Sequence, residues 1–262
     1  MIVHRLAGPL ARLLLPALLG TLLTVLTGAP ARAADARALR VTGSTRLTER
    51  LWDLTMDTPA LDFPVQVRIL LPDGYDERPR RRYPVLYLLH GSFDTAASWT
   101  DKGDAERLTA GLPLIVVMPA TAGKGDAGGW ASDWRNEGRG GPPKWETFTI
   151  DQLVPWVDAR YRTRTERGGR AIAGLSMGGF SALSYAARHP DLFAAAASFS
   201  GAVDTNRLAV QPVVQLETLA DGGATPDAIW GPARTRTASP CAGAASGTSP
   251  RHRATSQVPR RR

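Results

Sequence analysis

Cysteine is almost absent. The one cysteine among 262 residues is Cys241, so no disulfide can form within the chain and packing must hold whatever folds. Histidine is scarce too, with four in the chain: His4, His90, His189 and His252. No cluster of His, Cys and acidic residues shows metal-ligand spacing, so neither a metal nor an organic cofactor is expected. Long hydrophobic runs are missing after the N-terminus. The run Leu13–Leu26 spans 14 residues, too short for the ~30 Å hydrocarbon layer of a bilayer. Arg5 and Arg12 precede it and Ala31–Ala33 follows as an A-x-A end. That pattern predicts a secretory signal peptide over residues 1–33, cleaved after Ala33, and a soluble, secreted product with no stable membrane insertion.

A basic body is also lacking, despite a formal net charge of +8. Residues 1–33 hold three arginines and residues 232–262 hold seven, and neither stretch contains an acid, which leaves residues 34–231 at −2. A near-neutral body excludes a nucleic-acid partner as the expectation. Its basic run, RPRRR at 78–82, reads as a solvated turn before a strand. After Gly231 the chain has no Leu, Ile, Phe, Tyr, Trp, Asp, Glu or Lys. Such a segment cannot bury enough surface to offset its ordering entropy, so residues 232–262 are expected to be a disordered Arg/Pro/Ala/Ser-rich tail. Its composition is also the one that GC-rich codons give when read out of frame.

What is present between these ends alternates strand and helix. FPVQVRILLP (63–72), YPVLYLLHG (83–91) and LPLIVVMP (112–119) are short apolar runs bounded by turn residues and predict buried strands. RLWDLTMDTP (50–59) predicts an edge strand. A helix is expected within KWETFTIDQLVPWVDARY (144–161), with Thr147 as its cap and Pro155 marking a kink or its true start. A strand at 170–176, a helix at 177–190 and a strand at 193–201 complete the pattern. The fold class is therefore α/β, with a mostly parallel sheet flanked by helices. The Gly-rich loop 121–145, with Trp130, Trp134 and Trp145, is expected to be ordered beside a ligand site.

AIAGLSMGGF (171–180) carries the chemistry. Gly174-Leu175-Ser176-Met177-Gly178 fits the G-x-S-x-G nucleophile elbow, with an apolar strand before it and an Ala-rich helix after it. Ser176 is the expected catalytic nucleophile, and the Met177 N–H points at a developing oxyanion from the helix N-terminus. His90-Gly91-Ser92 ends an earlier strand, which makes the Ser92 N–H the second oxyanion-hole donor and His90 a residue that orients the loop.

HGSFDTAASW, SDWRNE, KWETFTIDQLVPWV and GLSMGGFSALSYAARHP occur in the order seen in an esterase family. The chain thus resembles the family that includes the antigen-85 mycolyltransferases and S-formylglutathione hydrolase, over residues ~50–231. The resemblance implies an α/β-hydrolase fold, with an acyl ester attacked by Ser176 to give an acyl-enzyme and then passed to water or an alcohol. It further implies Ser92 and Met177 as the oxyanion amides. The chain departs from the mycolyltransferase branch at His90 and Phe93, where that branch carries an Asp and an Arg used on the sugar, so trehalose is not the expected acceptor.

In this fold the triad acid and then the histidine follow the serine along the chain. His4 lies in the signal, His90 precedes the elbow, His189 ends the following helix and His252 lies in the tail. Asp204, Glu217, Asp221 and Asp227 precede the strand that should carry the acid and read as solvated. No triad acid or base is identified, and the C-terminal strands of the fold are expected to be missing. The sequence predicts a secreted serine esterase or acyltransferase by ancestry with impaired activity; the rival is a non-catalytic secreted binding protein on the same scaffold. Oligomeric state is not readable.

Overall fold

A computed structural model describes residues 38–205, 207 and 209–232. The expected signal peptide, nearly all of the expected tail, His4, Cys241 and His252 lie outside the described residues. Those residues form seven strands: β1 (Arg40–Arg46), β2 (Leu51–Asp57), β3 (Val65–Leu70), β4 (Val85–Leu89), β5 (Ile115–Pro119), β6 (Arg170–Leu175) and β7 (Ala195–Phe199). The α-helices among them are α1 (Ser98–Asp101), α2 (Ala105–Leu108), α3 (Val154–Arg160), α4 (Met177–Arg188) and α5 (Gln211–Ala220).

The strands make one sheet in the order β1-β2-β3-β5-β4-β6-β7. β5, β4, β6 and β7 run parallel, whereas β1, β2, β3 and β5 pair antiparallel. The sheet is therefore more mixed than the strand–helix alternation suggested. The physical reason is local: β1, β2 and β3 follow one another through short turns, with no crossover helix to make them parallel. β2 is not an edge, because β1 pairs along it from Arg40↔Asp57 to Arg46↔Trp52. β1 (RVTGSTR) lacks an apolar run and is exposed on nearly every residue, so hydropathy does not mark it. β4 and β5 are Val/Ile/Leu-rich and buried on both faces, as parallel strands under helices must be.

Chain order reverses at β4, which lies between β5 and β6. Open α/β sheets hold their ligands outside the carboxyl ends of the strands at such a switch point. Leu89 and Leu175 end β4 and β6 there. The helix expected over 144–161 exists but opens as a π-helical stretch, Thr147–Leu153, before α3. Pro155 falls in the first turn of α3, where its missing N–H is lost least. Thr147 is not the cap. It sits inside the first turn, and both its N–H and its Oγ1–H donate to Asp133 at 3.0 and 2.6 Å.

The core lies mainly between the sheet and the elements α3, α4 and the 121–145 loop, with Tyr87, Phe148, Trp130 and Tyr185 fully buried. Each such side chain contributes about 2–3 kcal/mol when removed from water. Trp130, Trp134 and Trp145 are all buried, so the Gly-rich loop is an ordered wall of the fold. Among the described residues no helix is long and apolar enough to cross a membrane.

Candidate active site

Ser176 stands between the last residue of β6 and the first of α4, with φ 53° and ψ −119°. Backbone of this kind costs a non-glycine residue on the order of 1–3 kcal/mol. Bonds on both sides hold it: the Ser176 N–H donates to Phe199 O at 2.9 Å, and its carbonyl accepts from Gly179 and Phe180. The flanking glycines are demanded by close approach. A Cβ on Gly174 would collide with the Gly178 carbonyl, and one on Gly178 with the carbonyls of Leu89 and His90. Strand and helix thus touch backbone to backbone, and the turn leaves Ser176 exposed while Met177 is buried.

The loop after β4 comes up against this turn. A Cβ on Gly91 would lie 3.3 Å from the Ser176 Cβ, and one on Gly128 would press on Met177 Sδ and lie 3.6 Å from Ser92 Oγ. Ser92, Ser176 and Met177 are therefore gathered at one place. The N–H of Met177 is among those at the start of α4 that have no carbonyl four residues back, and it carries the positive end of the helix dipole.

His90 is buried, and its Nε2 accepts the Thr121 N–H at 2.9 Å. That fixes the proton on Nδ1, which donates to Gly91 O at 2.8 Å. Burial pushes its pKa below the ordinary histidine value, against the Gly91 bond and Asp94. His90 is thus a neutral strut between β4 and the 121–145 loop, with both nitrogens engaged. The Phe93 N–H adds a second tie, to Ala127 O at 2.9 Å. Phe93 itself, at φ 61°, is 72% exposed on the lip of the site.

His189 caps the far end of α4, and its Nε2 lies 2.7 Å from Glu146 Oε1. The 12 residues of α4 separate it from Ser176, about 18 Å at 1.5 Å per residue. Neither described histidine reaches the serine. Among the expected solvated acids, Asp204 pairs with Arg207, and Asp227 accepts from Gln215.

Glu217 and Asp221 contradict the solvated reading. Glu217, on α5, is buried and accepts from Ser92 Oγ at 3.0 Å and Trp130 Nε1 at 2.8 Å. Burial raises its pKa, the two hydrogen bonds oppose the shift, and Asp221 adds to it. Asp221, four residues on, accepts the N–H groups of Ala127 and Gly128 at 2.5 and 2.7 Å. Burial raises its pKa also, against those two bonds. α5 thus clamps the loop beside Ser92 with two carboxylates. The signal was in the sequence: Pro212 opens the segment, and Val210, Val214 and Thr218 recur at helical spacing. A cavity of about 380 Å³ opens next to this clamp, walled by Phe63, Trp134, Trp145, Asp126, Glu137 and Asp221. Among the described residues no group of three His, Cys, Asp or Glu could hold a metal ion.

This geometry offers an exposed serine hydroxyl at the amino end of a helix, an arrangement of the serine-hydrolase class. Comparison with known proteins agrees with that class. The Putative esterase family matches residues 58–259, a span that continues past Gly231. Esterase Rv1288 of Mycobacterium tuberculosis is 43% identical over 175 residues, covering 66% of this chain and 37% of that protein. The mycolyltransferase Ag85B of Mycobacterium leprae is 34% identical over 155 residues, 57% of this chain and 46% of the relative. The chain therefore spans less than half the length of either. Among solved structures, a ferulic acid esterase superposes with TM-score 0.51 at 32% identity, covering 58% of this chain and 60% of that one. An S-formylglutathione hydrolase from Agrobacterium tumefaciens superposes with TM-score 0.58 at 20% identity over 67% of each chain, which speaks for the fold alone. The fold is that of the α/β-hydrolases, and the chain belongs to the Putative esterase family.

Proposed function

We propose that this chain is an exported serine esterase or acyltransferase that works through an acyl-enzyme at Ser176. The observation that carries the reading is the strained, exposed Ser176 at the start of α4, beside Gly91 and Ser92. Ser176 Oγ attacks the ester carbonyl, the N–H groups of Met177 and Ser92 hold the oxyanion, and the alcohol leaves. Water or a second alcohol then takes the acyl group. The names of the relatives, esterase and diacylglycerol acyltransferase/mycolyltransferase, support both outcomes. Export rests on the pattern of residues 1–33 alone.

Activity is impaired in this reading, because both described histidines are engaged elsewhere. Loss of triad partners costs on the order of 10⁴- to 10⁶-fold in kcat, while an oxyanion hole alone retains roughly 10³- to 10⁴-fold over water. An out-of-frame tail would account for the missing acid and base, although the family match runs on to residue 259. A fluorophosphonate probe with peptide mapping tests the nucleophile. Slow modification confined to Ser176 is expected; a protein that stays unmodified, or is modified elsewhere, contradicts it.

One observation favours the second reading, a binding protein on this scaffold. The Glu217 carboxylate lies against Ser92, where its negative charge opposes an oxyanion. Under that reading Ser176 is inert to the probe.

A further inference from the structure

A second concavity among the described residues is far from the serine. A groove of about 780 Å³ lies along β1, β2 and the 71–77 turn, closed by the end of α3 and residues 161–162. Strand directions fix its position. Leu71–Glu77 follow β3, which is antiparallel to β5, and Tyr161 and Arg162 precede the β-bridge of Thr163 with Tyr83 at the start of β4. The groove is therefore at the amino end of β4 and β5, whereas Ser176 is at the carboxyl end of β6. The length of β4 alone, about 17 Å for five residues, separates the two poles.

Its lining has a definite chemistry. Trp156 forms the buried floor, and Trp52, Tyr75 and Tyr161 are half-buried. The rim is charged and exposed: Arg46 and Arg160 face Glu49, Asp73, Asp76 and Glu77. The guanidinium groups of Arg46 and Arg160 sit 5.6 Å from the ring centres of Trp52 and Trp156, so donors hang directly over aromatic faces. Counting Arg50 and Arg162, four cations meet four carboxylates around the groove. Such a lining repels polyanions as readily as polycations, and its rim is too polar for a hydrocarbon chain. Arg46, Arg50 and Arg162 already donate to backbone carbonyls, and Arg162 also covers one face of Tyr75. A ligand that matches the groove therefore carries no net charge, presents a flat C–H face to the half-buried Trp52, and offers hydroxyls that donate to the rim carboxylates and accept from Arg160.

We propose that this groove is a second binding site, for a neutral oligosaccharide, independent of Ser176. The test uses the whole protein and a panel of soluble neutral oligomers of glucose, xylose and arabinose, read by tryptophan fluorescence and calorimetry. At least one member is expected to bind below about 10 mM, a weak single-site affinity. Trp52→Ala and the surface change Arg160→Glu are each expected to weaken that binding by about tenfold or more, with circular dichroism unchanged in at least the Arg160 variant. Ser176→Ala is expected to leave it unaltered, which separates this site from the catalytic pole. Absence of binding by every member overturns the proposal, as does binding that survives both groove variants or is lost in Ser176→Ala.

Discussion

Ser176 and Glu217 show how much single residues carry here. The elbow depends on two glycines that no other residue can replace. Gly178→Ala sets a Cβ against the carbonyls of Leu89 and His90, and is expected to lower stability by at least about 2 kcal/mol in urea denaturation. An unchanged midpoint would mean that strand and helix do not meet as described. Glu217 sets a pH dependence. Burial raises its pKa in the folded state, so the folded protein keeps a proton that the unfolded chain has already lost. Stability must then fall as pH rises from the ordinary glutamate range through the raised value, and level off above it. Asp221 contributes in the same direction. Glu217→Gln keeps an oxygen for Ser92 and Trp130, so it is expected to flatten that slope and to be the more stable protein at neutral pH. A slope that persists undiminished in the variant would place its origin elsewhere. The elbow was legible in the sequence because G-x-S-x-G encodes a local backbone requirement. Glu217 was not, because an acid four residues from another acid looks solvated until the loop that buries it is folded.

At the scale of elements, the two edges of the sheet behave differently. β1 is polar, exposed and bulged between Val41 and Gly43, features that discourage a further strand from pairing. β7 is AAASF, exposed along most of its length, and among the described residues it pairs with β6 alone. Phe199, its last residue, is 52% exposed. An uncharged, apolar edge of this kind templates self-association. Ala196→Lys is therefore expected to slow the growth of light scattering on gentle heating, and equal growth in both proteins would contradict this. The buried strands β3, β4 and β5 were legible because their apolar runs are continuous. β1 lacked that signal, and its presence turned β2 from an edge into an interior strand. The parallel half was correctly inferred from alternation with helices, but the antiparallel half depends on short turns that hydropathy does not report. α5 is marked in the sequence only by Pro212 and a short apolar spacing, a weak signal beside its polar residues.

For the molecule as a whole, the candidate active site and the aromatic groove lie at opposite ends of the parallel strands. The carboxyl ends of β4 and β6 hold Ser176, the loop after β4 and its clamp, while the amino ends carry the aromatic groove. No charge of the body favours nucleic acid, and the family shared with esterases agrees with the chemistry of the elbow. In the proposed function, the Ser176 nucleophile and its oxyanion hole lack an adjacent base among the described residues. Added imidazole tests this directly, because it can act as the general base that His90 and His189 do not supply. Hydrolysis of a short-chain p-nitrophenyl ester should be slow in the unaided protein and rise with imidazole beyond the rate seen for Ser176→Ala under the same conditions. His189→Gln should change neither rate. If turnover is already fast without imidazole, or if Ser176→Ala responds as the parent does, the account is contradicted.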